Sequence, residues 1–94
     1  SSPSRGLGDV YKRQVLIIPR KPIPRLVDSS VDDQALLGHL LLVAGRVAED
    51  LGVGDAFRLV INNGEGGGQT VFHLHLHILA GREMTEGQLT ADLN

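Results

Sequence analysis

Apolar and polar positions alternate in three distinct ways along this chain. Residues 15–19 (V-L-I-I-P) form a continuous apolar, mostly β-branched run that ends on proline, the pattern of a short strand buried on both faces. Residues 20–25 carry Pro22 and Pro24, which lack backbone donors, so an extended connector is predicted there. Over residues 31–51 the apolar positions recur at spacings of three and four: Leu36, Leu37, Leu40, Val43, Ala44, Val47 and Leu51. That spacing predicts an amphipathic helix. Asp28, Ser29 and Ser30 are its N-cap candidates, Asp32 and Asp33 suit its first turn, and Gly52 supplies a stop. Gly38 and Gly45 lie seven residues apart on one side of this helix, at a cost of roughly 1 kcal/mol each against alanine. Close packing against a neighbour is the expected reason for both. Residues 56–62 alternate strictly, with Phe57, Leu59 and Ile61 on one face and Arg58, Val60 and Asn62 on the other. A glycine-rich loop, residues 63–69, leads to a second alternating stretch at residues 70–80, so the two strands form a hairpin.

These elements predict an α+β domain in which an antiparallel sheet packs one face against one long helix. Residues 1–14 follow none of the three patterns, and the string G-L-G-D-V-Y-K-R-Q within them resembles a cloning or adapter tail. The expected organisation is therefore a non-native or disordered tail at 1–14, a domain at 15–84 whose native N-terminal part is missing, and a flexible polar tail at 85–94. Length and composition narrow the function. At 94 residues there is room for one small core and no second domain. Nine basic against eleven acidic residues give a net charge of −2, which excludes a polybasic surface for nucleic acid or anionic membrane. Any phosphate must be held by a local site. There is no cysteine, hence no disulfide, thiol nucleophile or cysteine-ligated zinc. No apolar run approaches the ~20 residues of a membrane-spanning helix.

The chemistry is concentrated in H-L-H-L-H-I-L, where His73, His75 and His77 stand at every second position. On a strand all three imidazoles project to one side with Val71 and Leu79, while Phe72, Leu74, Leu76 and Ile78 project towards the helix. A one-residue slip would bury the imidazoles and expose the apolar set. A merely solvent-facing polar strand would not need three histidines. A metal site is a second reading, since imidazole is a common zinc ligand. However, positions i and i+4 of a strand stand roughly 13–14 Å apart at ~3.4 Å per residue, and no acidic fourth ligand is near in sequence. The third reading is nucleophilic and acid–base chemistry at phosphorus. Imidazole is substantially neutral near pH 7, and neighbouring rings can divide attack from proton donation. The glycine loop before the strand and the Thr70 hydroxyl are suited to an anion.

The stretch N-N-G-E-G-G-G-Q-T-V-F-H-L-H-L-H-I-L-A-G-R resembles the signature of the histidine triad (HIT) superfamily, and is most similar to its Hint branch of nucleoside phosphoramidate hydrolases. The upstream V-L-I-I-P-R-K-P-I-P-R and L-L-G-H-L-L-L-V-A resemble the same branch. The resemblance implies a HIT-like fold and a purine nucleotide substrate. It implies hydrolysis of the P–N bond of a purine nucleoside 5′-phosphoramidate, with His75 as the transiently nucleotidylated nucleophile. His73 would orient that ring, and His77 would engage the phosphate or the departing amine. Asn62, Gly68 and Thr70 match positions that line ribose and phosphate. No cofactor and no obligatory metal are implied, and the full-length protein would be a homodimer. The sequence departs from the family in three places: Pro22 stands where a fourth histidine often lies, the Trp-Pro-Pro ending is absent, and the first strands and helix have no counterpart. His39, within the predicted helix, does not replace the fourth histidine. A non-catalytic zinc- or nucleotide-binding module, or an inactive fragment of such an enzyme, is the alternative.

Overall fold

The computed structural model describes residues 13–81. Residues 1–12 of the expected N-terminal tail at 1–14, and the expected C-terminal tail at 85–94, lie outside the described residues, whereas Arg13 and Gln14 pair with Ala80 and Leu79 and so belong to the sheet. Strand β1 (Arg13–Ile17), helix α1 (Gln34–Asp50), strand β2 (Arg58–Val60) and strand β3 (Leu76–Ala80) follow in chain order, with short 3-10 turns at Leu26–Asp28, Val31–Asp33 and Glu65–Gly67. The strands form one antiparallel sheet in the order β1-β3-β2. The histidine-bearing strand is thus central, flanked by the V-L-I-I run on one side and its hairpin partner on the other. The α+β expectation holds.

Register divides the residues between two faces. Ile17 pairs with Leu76, and Val15 and Leu59 both pair with Ile78, so these side chains share the face towards α1. There Leu74 and Leu76 join Ile23 and Leu40 in the core, with Ile17, Leu36, Leu37, Leu59 and Ile61 packed around them. Burying a leucine of this kind contributes roughly 1.5–3 kcal/mol. On the opposite face Leu16 and Val60 flank His77, and Gln14 and Arg58 flank Leu79.

The helix forms for the reasons its sequence gives. Ser30 accepts a hydrogen bond from the Asp32 amide at 3.2 Å, and the Asp33 carboxylate accepts one from the Ser30 amide at 2.9 Å. The first turn, Val31–Asp33, is 3-10, and α1 proper begins at Gln34. At the other end Gly52 adopts φ +78°, and the amides of Gly52 and Val53 donate to the carbonyls of Glu49 and Ala48, a Schellman closure.

Three expectations need correction. The V-L-I-I run is not buried on both faces: β1 is an edge strand beginning two residues before that run, with Leu16 43% and Ile18 56% exposed. Gly38 and Gly45 do not pack closely, since a Cβ added at either would meet nothing within 4 Å. The third correction concerns the histidine segment: residues 70–75 are not part of the strand, which begins only at Leu76.

Candidate functional site

The three histidines are delivered by two different devices. His77 sits inside β3 and is held by the ladder on both sides, opposite Leu16 and Val60. His73 and His75 precede the strand and are held by the proline connector. The Leu74 amide donates to the Ile23 carbonyl at 2.7 Å, and His73 Nε2 lies 2.7 Å from the Pro19 carbonyl. Prolines remove donors from residues 19–24 but leave their carbonyls, so the connector acts as a row of acceptors. This anchoring replaces the strand pairing expected for residues 70–75. Inward alternation consequently starts at Leu74, while Val71 is exposed and Phe72 is 51% exposed rather than packed against the helix.

Hydrogen bonding fixes the ring states. A carbonyl only accepts, so the His73 nitrogen facing Pro19 must be Nε2–H. His75 Nδ1 lies 2.8 Å from the His73 carbonyl and donates to it in the same way. In neutral His75 the proton is therefore on Nδ1, and the Nε2 lone pair is left available for attack or coordination. The His75 and His77 rings meet edge to face with centroids 5.0 Å apart. His77 is only 4% exposed, and neither ring nitrogen has a hydrogen-bond partner among the described residues. Burial, and secondarily the neighbouring His75, push its pKa below the usual imidazole value. His77 is thus kept neutral, with an N–H and a lone pair both unspent.

The glycine loop is more closed than its composition suggests. Gly64 and Gly68, at φ +81° and +94°, flank the Glu65–Gly67 turn. The amides of Gly67 and Gln69 donate to the Gly64 carbonyl, and that of Gly68 to the Glu65 carbonyl. Of the Gly66–Gly68 amides expected to face an anion, those of Gly67 and Gly68 are therefore spent within the loop. What Gly68 provides is the left-handed backbone, since a Cβ there would meet Asn62 Cγ only at an ordinary contact of 3.8 Å. Asn62 and Gly68 are thus brought together, with Asn62 half-buried and Thr70 exposed. His39 is exposed on α1. Pro22 is exposed in the connector.

Sequence reasoning missed two residues here. Gln69 is buried, and its carboxamide bonds the Gly64 amide, the Pro24 carbonyl and the Val71 carbonyl. Lys21 forms an ion pair with the buried Asp33 carboxylate, tying the connector to the start of α1. That lysine, with the Ser30 amide, holds the Asp33 pKa below the ordinary carboxylate range. Neither residue carries a period, but a glutamine abutting a glycine loop is a signal for loop bracing. Among the described residues there is no group of three or more histidine or acidic side chains placed to hold one metal ion.

Comparison with known proteins gives the family and the fold. The chain is 69% identical over 68 residues to an uncharacterized HIT-like protein of Synechocystis, an alignment covering 72% of this chain and 60% of that protein. A HIT family hydrolase from Legionella pneumophila superposes with a TM-score of 0.75 at 44% identity, over 78% of this chain and 66% of that one. A histidine triad protein from Clostridium difficile gives 0.75 at 33% identity, over 82% and 68%. The chain spans about three fifths of the length of its curated relatives (60% and 61%). The HIT domain signature matches residues 10–84, which takes in the connector, the helix, the glycine loop and all three histidines. By that match and by its fold, the chain belongs to the histidine triad (HIT) family.

Proposed function

We propose that this chain carries the nucleotidyl-transfer site of a hydrolase that cleaves the P–N bond of purine nucleoside 5′-phosphoramidates, with His75 as nucleophile. The observation that carries the reading is the His75 tautomer. Its Nδ1–H is committed to the His73 carbonyl, which leaves the Nε2 lone pair free. In the first step Nε2 attacks phosphorus, an Nε2–P bond forms, the P–N bond breaks, and the amine departs with a proton. Water then attacks the same phosphorus, the Nε2–P bond breaks, and nucleoside monophosphate leaves. Each step displaces one group at phosphorus and needs no redox partner.

His73, tied to Pro19, orients the His75 ring through its own carbonyl. His77, buried against the His75 ring and without a hydrogen-bond partner among the described residues, would engage the phosphate or the departing amine once substrate opens a path to its nitrogens. Asn62 and Thr70 would supply polar contacts to ribose and phosphate, and Gly68 the left-handed turn beside Asn62. The hydrolase name of the Legionella relative supports the reaction class. The full-length protein would act as a homodimer.

Rapid acid quench with labelled adenosine phosphoramidate tests the reading, on this chain and on a form extended to the length of its relatives. Label should appear on the wild type and on His39→Ala, and not on His75→Ala. Equal labelling of His75→Ala refutes the assignment of the nucleophile. Chelation should leave turnover within about twofold, because a nucleophilic nitrogen must keep its lone pair unbound. Stoichiometric zinc, with activity lost on chelation and regained on its return, would favour a metal site instead.

A further inference from the structure

We propose that Gln69 is a positioning residue for the phosphate-binding side of the site: its buried carboxamide clamps the backbone on both sides of Thr70 and so fixes Gly68 and Thr70 relative to the histidines. The inference rests on the hydrolase reading above. Gln69 is 1% exposed, deeper than any other uncharged polar residue of the described core. Its Oε1 accepts from the Gly64 amide at 2.7 Å, while its own amide donates to the Gly64 carbonyl at 2.9 Å. These reciprocal bonds close the loop on itself. Its Nε2 spends one proton on the Pro24 carbonyl at 2.6 Å and the other on the Val71 carbonyl at 3.1 Å. The bond to Val71 reaches over Thr70, and the bond to Pro24 ties the loop to the connector whose Pro19 carbonyl holds His73. One side chain thereby joins the glycine loop, the connector and the approach to the first histidine.

The donor character of Nε2 is what this role requires. Both carbonyls face it, so a carboxylate there would be repelled twice and a thioether would leave both unpaired. The position of Thr70 would then relax, while the His75 nucleophile, set by the His73 carbonyl, would remain intact.

Two variants and two measurements separate these effects. Affinity for adenosine 5′-monophosphate is measured by calorimetry, and His75 nucleophilicity by its rate of carbethoxylation with diethyl pyrocarbonate, which needs no phosphate contact. In Gln69→Met, affinity should fall about tenfold or more while carbethoxylation stays within about twofold of wild type. Gln69→Glu, nearly isosteric, should show the same loss at pH 8. Relative to wild type at matched pH it should recover in part at pH 5, where a protonated carboxyl restores one donor. Should Gln69→Met fail to fold, Gln69→Glu alone decides. Unchanged affinity in either folded variant overturns the proposal. Parallel loss of affinity and carbethoxylation also overturns it, because Gln69 would then support the whole site rather than its phosphate side. A wild type that binds no nucleotide refutes the hydrolase reading itself, whereas a binding wild type with unaffected variants refutes only the role of Gln69.

Discussion

A neutral imidazole carries one donor and one acceptor, and His77 holds both without partners among the described residues. Leaving a buried polar group unmatched costs on the order of 1–3 kcal/mol, so this residue is a stability cost retained beside the ring of His75, the proposed nucleophile. The same burial sets its pH behaviour. Because the folded-state pKa is depressed, the unfolded chain binds more protons than the folded one below the usual imidazole value of about 6.5. Stability is therefore full above about pH 6.5 and is lost as pH falls through the folded-state value. Asp33, also depressed, contributes in a separate window: its stabilisation is present above the ordinary carboxylate pKa of about 3.9 and disappears only below it. Urea unfolding across pH 8 to 5 should show a decline beginning near pH 6.5 in the wild type and a flatter curve in His77→Phe. Superimposable curves would show that His77 titrates alike in both states.

At the level of elements, the residues before β3 are where local pattern and tertiary structure part. Period-two alternation from residue 70 to 80 reads as one strand, yet only Leu76–Ala80 pairs with neighbours. The Ile23 carbonyl takes the Leu74 amide that a partner strand would otherwise receive, and the Pro19 and Pro24 carbonyls take side-chain hydrogen bonds from His73 and Gln69. Such acceptors leave no trace in a hydrophobic pattern, which is why the stretch looked longer than it is. The helix, its glycine stop and the inward set Leu74, Leu76 and Ile78 were legible because each follows from a strict period or a single backbone requirement. The spacing of the histidines was equally plain in the sequence, but their hydrogen bonds to backbone carbonyls depend on distant residues and were not. Substitution can mark where the strand face begins. Leu74→Ala should cost about 2–5 kcal/mol, the range for a fully buried leucine, and Phe72→Ala less than about 1 kcal/mol. Equal costs would restore the longer strand. On α1, Gly45→Ala meets open space and should stabilise by up to about 1 kcal/mol in denaturant melts. A loss of stability there would mean that another surface occupies that space.

Across the whole molecule the apolar surface is unevenly covered. One face of the sheet is sealed by α1, whereas β1 and β2 are unpaired edges among the described residues. Leu16 and Ile18 are exposed on and just beyond the β1 edge, and Leu41 and Leu42 are exposed on α1 between the open positions of Gly38 and Gly45. Unpaired edges template further strand addition, and contiguous apolar groups favour association. Both features are what a dimer with a continuous sheet would cover, and both would drive less specific association in its absence. Association linked to folding makes the melting temperature rise with protein concentration. The chain should therefore sediment above monomer mass, and its melting temperature should rise with concentration. Leu42→Lys and Leu16→Lys should each lower the apparent mass, the first by charging the helix face and the second by charging the β1 edge. A monomeric chain whose melting temperature is independent of concentration would show that these leucines are tolerated surface, and would remove the support they lend to the proposed homodimer.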